Sequence, residues 1–307
     1  MKNKSGFFLV DKPIGMSSNL LLEKIKKRLG LKKLGHCGTL DPQASGLMIV
    51  LVNQATKVSE YFLSSEKEYV FKMKLFETTK TLDFEGEISE SQTPFKISKK
   101  TLEEVVNKYN GYVYEQYPPI YSAIKVNGKK LYEYARKEQE APKIEPRRVE
   151  IKKLDLLKCH KKSMELEFRA ICSKGTYIRS LALDIAKDLG TIAYVSALRR
   201  TKSGNFKIED AKQYLNLTLE DIYTTYQGLI INKYPIYEYK NLKEIVHGQA
   251  IKMPAAKDET IFISNSNNEI MAIYTRISNG FYKCKRGLWE IDPNIELTIA
   301  QKEDYYG

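Results

Sequence analysis

Apolar runs and amphipathic stretches alternate along most of the chain, and they predict a mixture of strands and helices. Residues 6–10, Gly-Phe-Phe-Leu-Val, read as a short strand. Asp11-Lys12-Pro13-Ile14-Gly15-Met16 turns it into a helix capped by Ser17 or Ser18. In that helix Leu21, Leu22, Ile25 and Leu29 share one face, Lys24, Lys26, Lys27 and Arg28 crowd the rest, and Gly30 is the stop signal. Residues 46–52 form an unbroken apolar run with the length and branching of a buried strand. Helical spacing follows over 55–62, partial alternation over 68–75, a polar connection over 79–86 and a helix over 99–109. Strands are predicted at 147–157 and 164–172, then a glycine turn and a helix carrying Leu181, Leu183, Ile185, Ala186 and Leu189 up to Gly190. Residues 208–230 read as helical and Lys233-Tyr234-Pro235 as a linker. Beyond it, 261–263, 270–274 and 283–286, set between Asn, Asp and Gly turns, suggest a small β-barrel.

At 307 residues the chain can bury a sizeable core, and the pattern divides it into a larger domain, 1–232, and a small one, 233–307. No run approaches the ~20 apolar residues of a membrane span, and the N-terminus lacks the apolar core of a signal peptide, so the expected location is the cytoplasm with no membrane partner. Cys37, Cys159, Cys172 and Cys284 show no C-x-x-C spacing, and His36, His160 and His247 are scattered, so neither a disulfide framework nor a metal site is indicated. Net charge is +12. Residues 233–307 hold ten basic and ten acidic side chains, so the whole excess lies in 1–232. That asymmetry suits a polyanion such as an RNA or DNA backbone or an acidic membrane surface, and equally a solvated lysine-rich face.

Candidate chemistry centres on residues 35–47, where Asp41 sits among Gly35, Gly38, Pro42 and Gly46. These glycines permit backbone conformations closed to other residues, and Pro42 biases Leu40-Asp41 toward an extended shape. The same residues also suit an ordinary turn begun by Asp-Pro. Lys32 and Lys33 extend the basic helix up to this loop. Residues 117–130 interleave tyrosine with lysine, a mixture suited to stacked bases and phosphates. Arg179, at the start of its helix, can reach a carboxylate or phosphate through two nitrogens.

Five segments, in order, resemble the bacterial TruB-type tRNA pseudouridine synthases. They are Asp11-Lys12-Pro13 with Gly15 and Ser17-Ser18; Gly35-His36-x-Gly38-Thr39-Leu40-Asp41-Pro42 with Gly46; Tyr121-Ser122-Ala123-x-Lys125; Lys174-Gly175-Thr176-Tyr177-Ile178-Arg179; and Leu198-Arg199-Arg200-Thr201. The resemblance covers nearly the whole chain. It implies an α+β pseudouridine-synthase fold, with a mixed, largely antiparallel central sheet flanked by helices, and a small C-terminal PUA-like β-barrel for RNA binding. It implies isomerisation of uridine to pseudouridine at position 55, in the T-loop of tRNA, by a monomer that binds the T-stem and T-loop and needs no cofactor. Carried over residue by residue, Asp41 resembles the catalytic aspartate, Tyr69 the active-site tyrosine and Arg179 the arginine paired with the aspartate. Tyr177 and Leu198 resemble the site lining, and His36 the histidine that fills the space of the extruded base. Lys12, Asp83, Lys125, Arg199 and Arg200 fall at positions expected to serve the RNA substrate, Lys12 with Pro13 also as a support. The chain departs from the family pattern at Phe76, where glycine is expected, and at Lys80, where an acid is common.

The residue types fit that chemistry. The C1′–N1 bond must break, the uracil turn, and C5 bond to C1′, with no net redox change. Asp41 can attack C1′ or take the 2′ proton, two routes the sequence leaves open. Tyr69 can stack on uracil and assist loss of the C5 proton, although a phenol with a pKa near ~10 needs a partner to do so. A uridine in a folded loop is reached only after flipping. A glycosidase would break the same bond, but it calls for a second carboxylate flanking it, and none stands out near Asp41. A non-catalytic RNA-binding protein and a guide-RNA-dependent dyskerin-like enzyme are the remaining alternatives; the latter's longer flanking extensions are absent.

Overall fold

The structure is a computed structural model that describes residues 4–63, 65–122, 124–126, 128–136 and 142–289. Ala123 and Asn127 of the tyrosine-lysine loop, and 290–307 of the expected small domain, lie outside the described residues. In chain order the elements are β1 (Gly6–Lys12), α1 (Ser18–Leu29), β2 (Leu34–His36), β3 (Ala44–Val52), α2 (Ser59–Leu63), β4 (Lys67–Leu75), β5 (Glu77–Thr79), β6 (Ile88–Ser91), α3 (Lys99–Tyr109) and β7 (Tyr112–Gln116). There follow β8 (Lys125–Val126), β9 (Lys129–Lys130), α4 (Leu131–Arg136), β10 (Arg147–His160), β11 (Glu165–Cys172), α5 (Ile178–Asp188), β12 (Ala193–Ser203), β13 (Phe206–Lys207), β14 (Lys212–Gln213) and α6 (Thr225–Ile231). The last are β15 (Ile236–Glu238), α7 (Leu242–Val246), β16 (Ile251–Lys252), β17 (Thr260–Ser264), β18 (Ile270–Ser278) and β19 (Phe281–Gly287).

The chain forms two compact units. One comprises Phe8–Leu51 with Val58–Asp221; the other comprises the described residues of Met1–Phe7, Val52–Lys57 and Ile222–Gly307. The first is built on a sheet in the order β14-β1-β3-β12-β4-β11-β10-β7, mixed and largely antiparallel. Its central strand β12 pairs antiparallel with β4 and parallel with β3, in the register Leu198↔Ala44, Arg199↔Ser45 and Arg200↔Gly46. That register brings segments 150 residues apart into contact and is what assembles the site. Gly46, at φ 107°, is required by it, since a Cβ there would meet the Arg200 carbonyl oxygen at 2.3 Å. Helices α3 and α5 cover the β4-β11-β10 face, where Phe71 stacks on Phe168 with ring centroids 5.5 Å apart beneath Leu181 and Ile185.

Local signals act as read in several elements. Ser17 caps α1 by accepting from the Leu20 N–H at 3.2 Å, Gly30 ends it at φ 64°, and Leu21 and Ile25 are buried on the expected face. The helical stretch expected over 55–62 is a 3-10 helix over Asn53–Val58 that runs on into the short α2. One reading needs correction. Residues 208–230 are not one helix: α6 alone is helical, capped by Thr224 and Gln227 in a reciprocal box. The preceding stretch is drawn into β14, whose Lys212 and Gln213 pair with Val10 and Asp11 at the sheet edge, and into short 3-10 turns. Phe76, the departure from the family pattern, keeps a glycine-like backbone at φ 68°. Its ring is buried edge-on against Phe95 at 5.2 Å, and its backbone bonds Ile192 and Gln92.

The second unit is organised on a five-stranded sheet in the order β15-β17-β18-β19-β16, with Ile245, Ile261, Ile263, Tyr274 and Tyr282 in its core. Among the described residues its end strands β15 and β16 do not pair with each other, so the expected barrel takes the form of a half-barrel.

Candidate active site

The loop that carries Asp41 is held from below by the segment after β1. Ser18 donates to the Leu40 carbonyl at 2.8 Å and accepts from the Leu40 N–H at 3.0 Å, and the Gly15 N–H donates to the Pro42 carbonyl at 2.8 Å. The Lys12 ammonium, with the whole residue buried, donates to the carbonyls of Met16 at 2.6 Å, Pro13 at 2.9 Å and Pro42 at 3.3 Å. Burial lowers the Lys12 pKa to about 8, with Asp41 pulling it up and Arg200 pushing it down. From the other side Arg200 donates to the carbonyls of Leu47 at 2.7 Å and Gly38 at 3.1 Å. The Asp41 turn is therefore fixed at both shoulders by buried cations bonded to its backbone.

Asp41 faces Arg179, whose Nη2 lies 2.9 Å from the Asp41 carboxylate, while its Nη1 lies 3.6 Å from that of Asp83. The same two nitrogens donate to the Tyr121 and Thr81 carbonyls, both at 2.8 Å. The guanidinium is thus shared between two carboxylates and two carbonyls rather than forming a two-pronged pair with Asp41 alone. Asp83 is anchored by Thr81 Oγ1 at 2.5 Å and the Glu85 N–H at 3.1 Å. The Arg179 side chain is 4% exposed and that of Asp41 37%, so the anion is open to a ligand and its cation is not. Burial pushes the Asp41 carboxyl above its usual range; Arg179 draws it down and Asp83 pushes it up again. Asp41, Ala44, Asp83, Phe84, Arg179 and Leu198 line one small cleft.

Most of the residues singled out in the sequence converge here. Tyr69 on β4 and Tyr177 at the N-cap of α5 are near enough that the Asp41 charge acts on both hydroxyls, and burial raises the pKa of both. His36 ends β2 with its Nδ1 buried and unbonded; burial and then Arg200 lower its pKa, so the imidazole is neutral. Lys125 stands exposed on β8. Arg199 is two-pronged on Asp11, at 2.8 and 3.0 Å, with 41% of its side chain exposed. Lys12 and Arg200, both expected at the RNA substrate, are enclosed at 0% and 1% exposure, Lys12 bonded to three backbone carbonyls and Arg200 to two. The sequence reading did not single out the bond of Ser18 to Leu40 or the partnership of Asp11 with Arg199. The Ser-Ser pair reads only as a helix cap, and nothing local links Asp11 to a residue 188 positions away.

The chain's relatives match over the same elements. Residues 26–178 match the TruB family pseudouridylate synthase (N terminal domain), and residues 179–233 match the tRNA pseudouridylate synthase B C-terminal domain. The tRNA pseudouridine synthase B of Mycoplasma mycoides is 47% identical over 284 residues, 92% of this chain and 97% of its own. That of Geobacillus thermodenitrificans is 37% identical over 295 residues, 88% and 94% of the two chains. Among solved structures, a chain of the H/ACA RNP bound to a substrate RNA containing 2′-deoxyuridine superposes with a TM-score of 0.68 at 22% identity, covering 94% of this chain and 86% of that one. A chain of a Cbf5-Nop10-Gar1 complex superposes with a TM-score of 0.67 at 23% identity, covering 92% and 85%; these two establish likeness of fold. With identity this high over nearly full length, and with its five sequence segments folded around one aspartate, the chain belongs to the TruB family of pseudouridylate synthases.

Proposed function

We propose that this protein isomerises uridine to pseudouridine at position 55 in the T-loop of tRNA, and that the single observation carrying the reading is Asp41, open to the cleft and paired with a buried arginine. Asp41 acts at C1′ of the flipped nucleotide. Arg179 favours its ionised form against the burial that opposes it, and Asp83 holds the far side of the same guanidinium. Leu198 and Tyr177 line the uracil site, His36 as a neutral imidazole fills the space the base leaves, and Tyr69 lies against the ring. Lys125 and Arg199 contact the T-stem and T-loop. Residues 1–232 carry catalysis, residues 233–307 add an RNA-binding module, and the protein works as a monomer in the cytoplasm. The reaction needs no redox partner, because the base leaves C1′ by N1 and returns by C5.

Incubating the purified protein with an unmodified T-arm RNA and mapping pseudouridine by sequencing tests the reading. Conversion at position 55 by the wild type, absent with Asp41→Asn, is expected. Conversion elsewhere only, or undiminished conversion by the variant, would overturn it.

A further inference from the structure

Arg200 is the largest fully buried side chain among the described residues, and it carries a charge. Enclosing a cation is costly unless an anion or several acceptors compensate it. Among the described residues no carboxylate does so: the ion pairs of this region go to Arg179 and Arg199. Its Nε and Nη2 are taken by the Leu47 and Gly38 carbonyls. The groups around it are the cations Lys12 and Lys67, the imidazole of His36 and the thiol of Cys37, all of which feel its charge. None of these is an anion, since burial pushes the Cys37 thiol up to about 12.

One neighbour differs. Tyr69 stands directly opposite Arg200 across the β4–β12 pair, a register that puts both side chains on one face of the sheet, and the Arg200 charge acts on its hydroxyl. Besides Arg200, the titratable groups acting on that hydroxyl are Cys172 from β11 and Asp41, both of which resist its ionisation, as does burial. Arg200 is thus the group that favours a negative charge there.

We propose that Arg200 is the electrostatic partner of Tyr69, a buried positioning cation that steadies the phenolate and so lets Tyr69 accept the C5 proton after the new C–C bond has formed. The step rests on the isomerisation proposed above. Tyr69 first releases its proton to water. The phenolate oxygen then takes the proton from C5, the C–H electron pair returns to the uracil ring, and N1 takes a proton from water. Protons balance and nothing is oxidised.

The test reads the phenol directly and in the free enzyme, so it does not depend on the substrate. Tyr69 is replaced by 3,5-difluorotyrosine, more acidic than tyrosine, and its ionisation is followed by fluorine NMR against pH in the wild-type background and with Arg200→Gln. The midpoint is expected to rise by about one pH unit or more in the variant, at least a tenfold loss of acidity; coincident midpoints overturn the proposal. In the reaction, Arg200→Gln is expected to lower kcat at neutral pH with partial recovery as pH rises, and to leave the salt dependence of tRNA binding unchanged. A shallower salt slope would mean that Arg200 contacts phosphate after all, and overturns the proposal. A shifted midpoint in a wild type that makes no pseudouridine would leave the pairing standing and sink the reaction assignment instead. Should Arg200→Gln fail to fold, the resonance of the Arg200 Nη1 protons, the group that neither carbonyl takes, reads the same pairing in the wild type compared with Tyr69→Phe, and an unmoved resonance overturns it.

Discussion

Asp41 is a compromise between burial and reach, and its neighbours carry the cost. Because burial raises its proton affinity in the fold above the unfolded value, its charge opposes folding at neutral pH, and this penalty fades as pH falls through the folded value toward the unfolded one, ~3.9. Asp41→Asn is therefore expected to abolish turnover, to leave tRNA affinity within a few-fold, and to raise the melting temperature at pH 7, with the gap narrowing toward pH 4. Arg179 is not orphaned by that change, because Asp83, Thr81 and Tyr121 still hold it. Melting curves at the two pH values check the stability half, and a wild type that melts higher at pH 7 contradicts it. Arg179→Lys should be far worse than its retained charge suggests. An ammonium cannot span two carboxylates and two carbonyls, so a loss of about 3 kcal/mol in stability and over a hundredfold in kcat is expected. Denaturant titration together with single-turnover kinetics would reveal either effect.

Elements are fixed by contacts that leave little room. Where β3 meets β12, the Gly46 backbone lies so close to that of Arg200 that Gly46→Ala must open the pair, at φ 107° besides. A destabilisation of about 3 kcal/mol or more is expected in urea. Phe76 offers a finer measurement, because its strained backbone and its buried ring oppose each other. Losing the ring costs about 3–5 kcal/mol, whereas glycine also recovers about 1 kcal/mol or more of backbone strain. Phe76→Gly should thus be less stable than wild type yet more stable than Phe76→Ala by about 1 kcal/mol, the reverse of the usual order. Equal or inverted stabilities would show that the left-handed backbone carries no strain.

Across the whole molecule, charge and fold are distributed differently. The net +12 lies within residues 1–232, and α1 alone presents Lys24, Lys26 and Lys27 to solvent beside a single acid, Glu23. Binding of tRNA should weaken steeply with salt, and the log-log slope should fall by about 0.9 for each phosphate contact removed. Lys26→Gln with Lys27→Gln is expected to flatten that slope, while Lys240→Gln with Lys243→Gln, in the evenly charged C-terminal part, should leave it alone. Affinities measured from low to high salt decide it, and an unaltered slope for the α1 variant would remove that helix from the RNA path.

The sequence by itself determined what depends on near neighbours: the cap and stop of α1, the buried run that became β3, α3 and α5, the constrained glycine-proline loop around Asp41, and the order of the five segments that identify the family. Those features are written in periodicity and in residues with few backbone options, so they need no knowledge of partners. What only the tertiary structure decided was which side of a strand meets water. Arg199 and Arg200 are adjacent, both basic, and indistinguishable by local pattern. The parallel join of β12 to β3 leaves Arg199 at the rim on Asp11 and encloses Arg200 beside Tyr69. Likewise the division of Arg179 between Asp41 and Asp83, and the loss of a helix over 208–224 to the edge of β1, follow from strand register, which is set by closing loops of a hundred residues or more and is invisible to any short window.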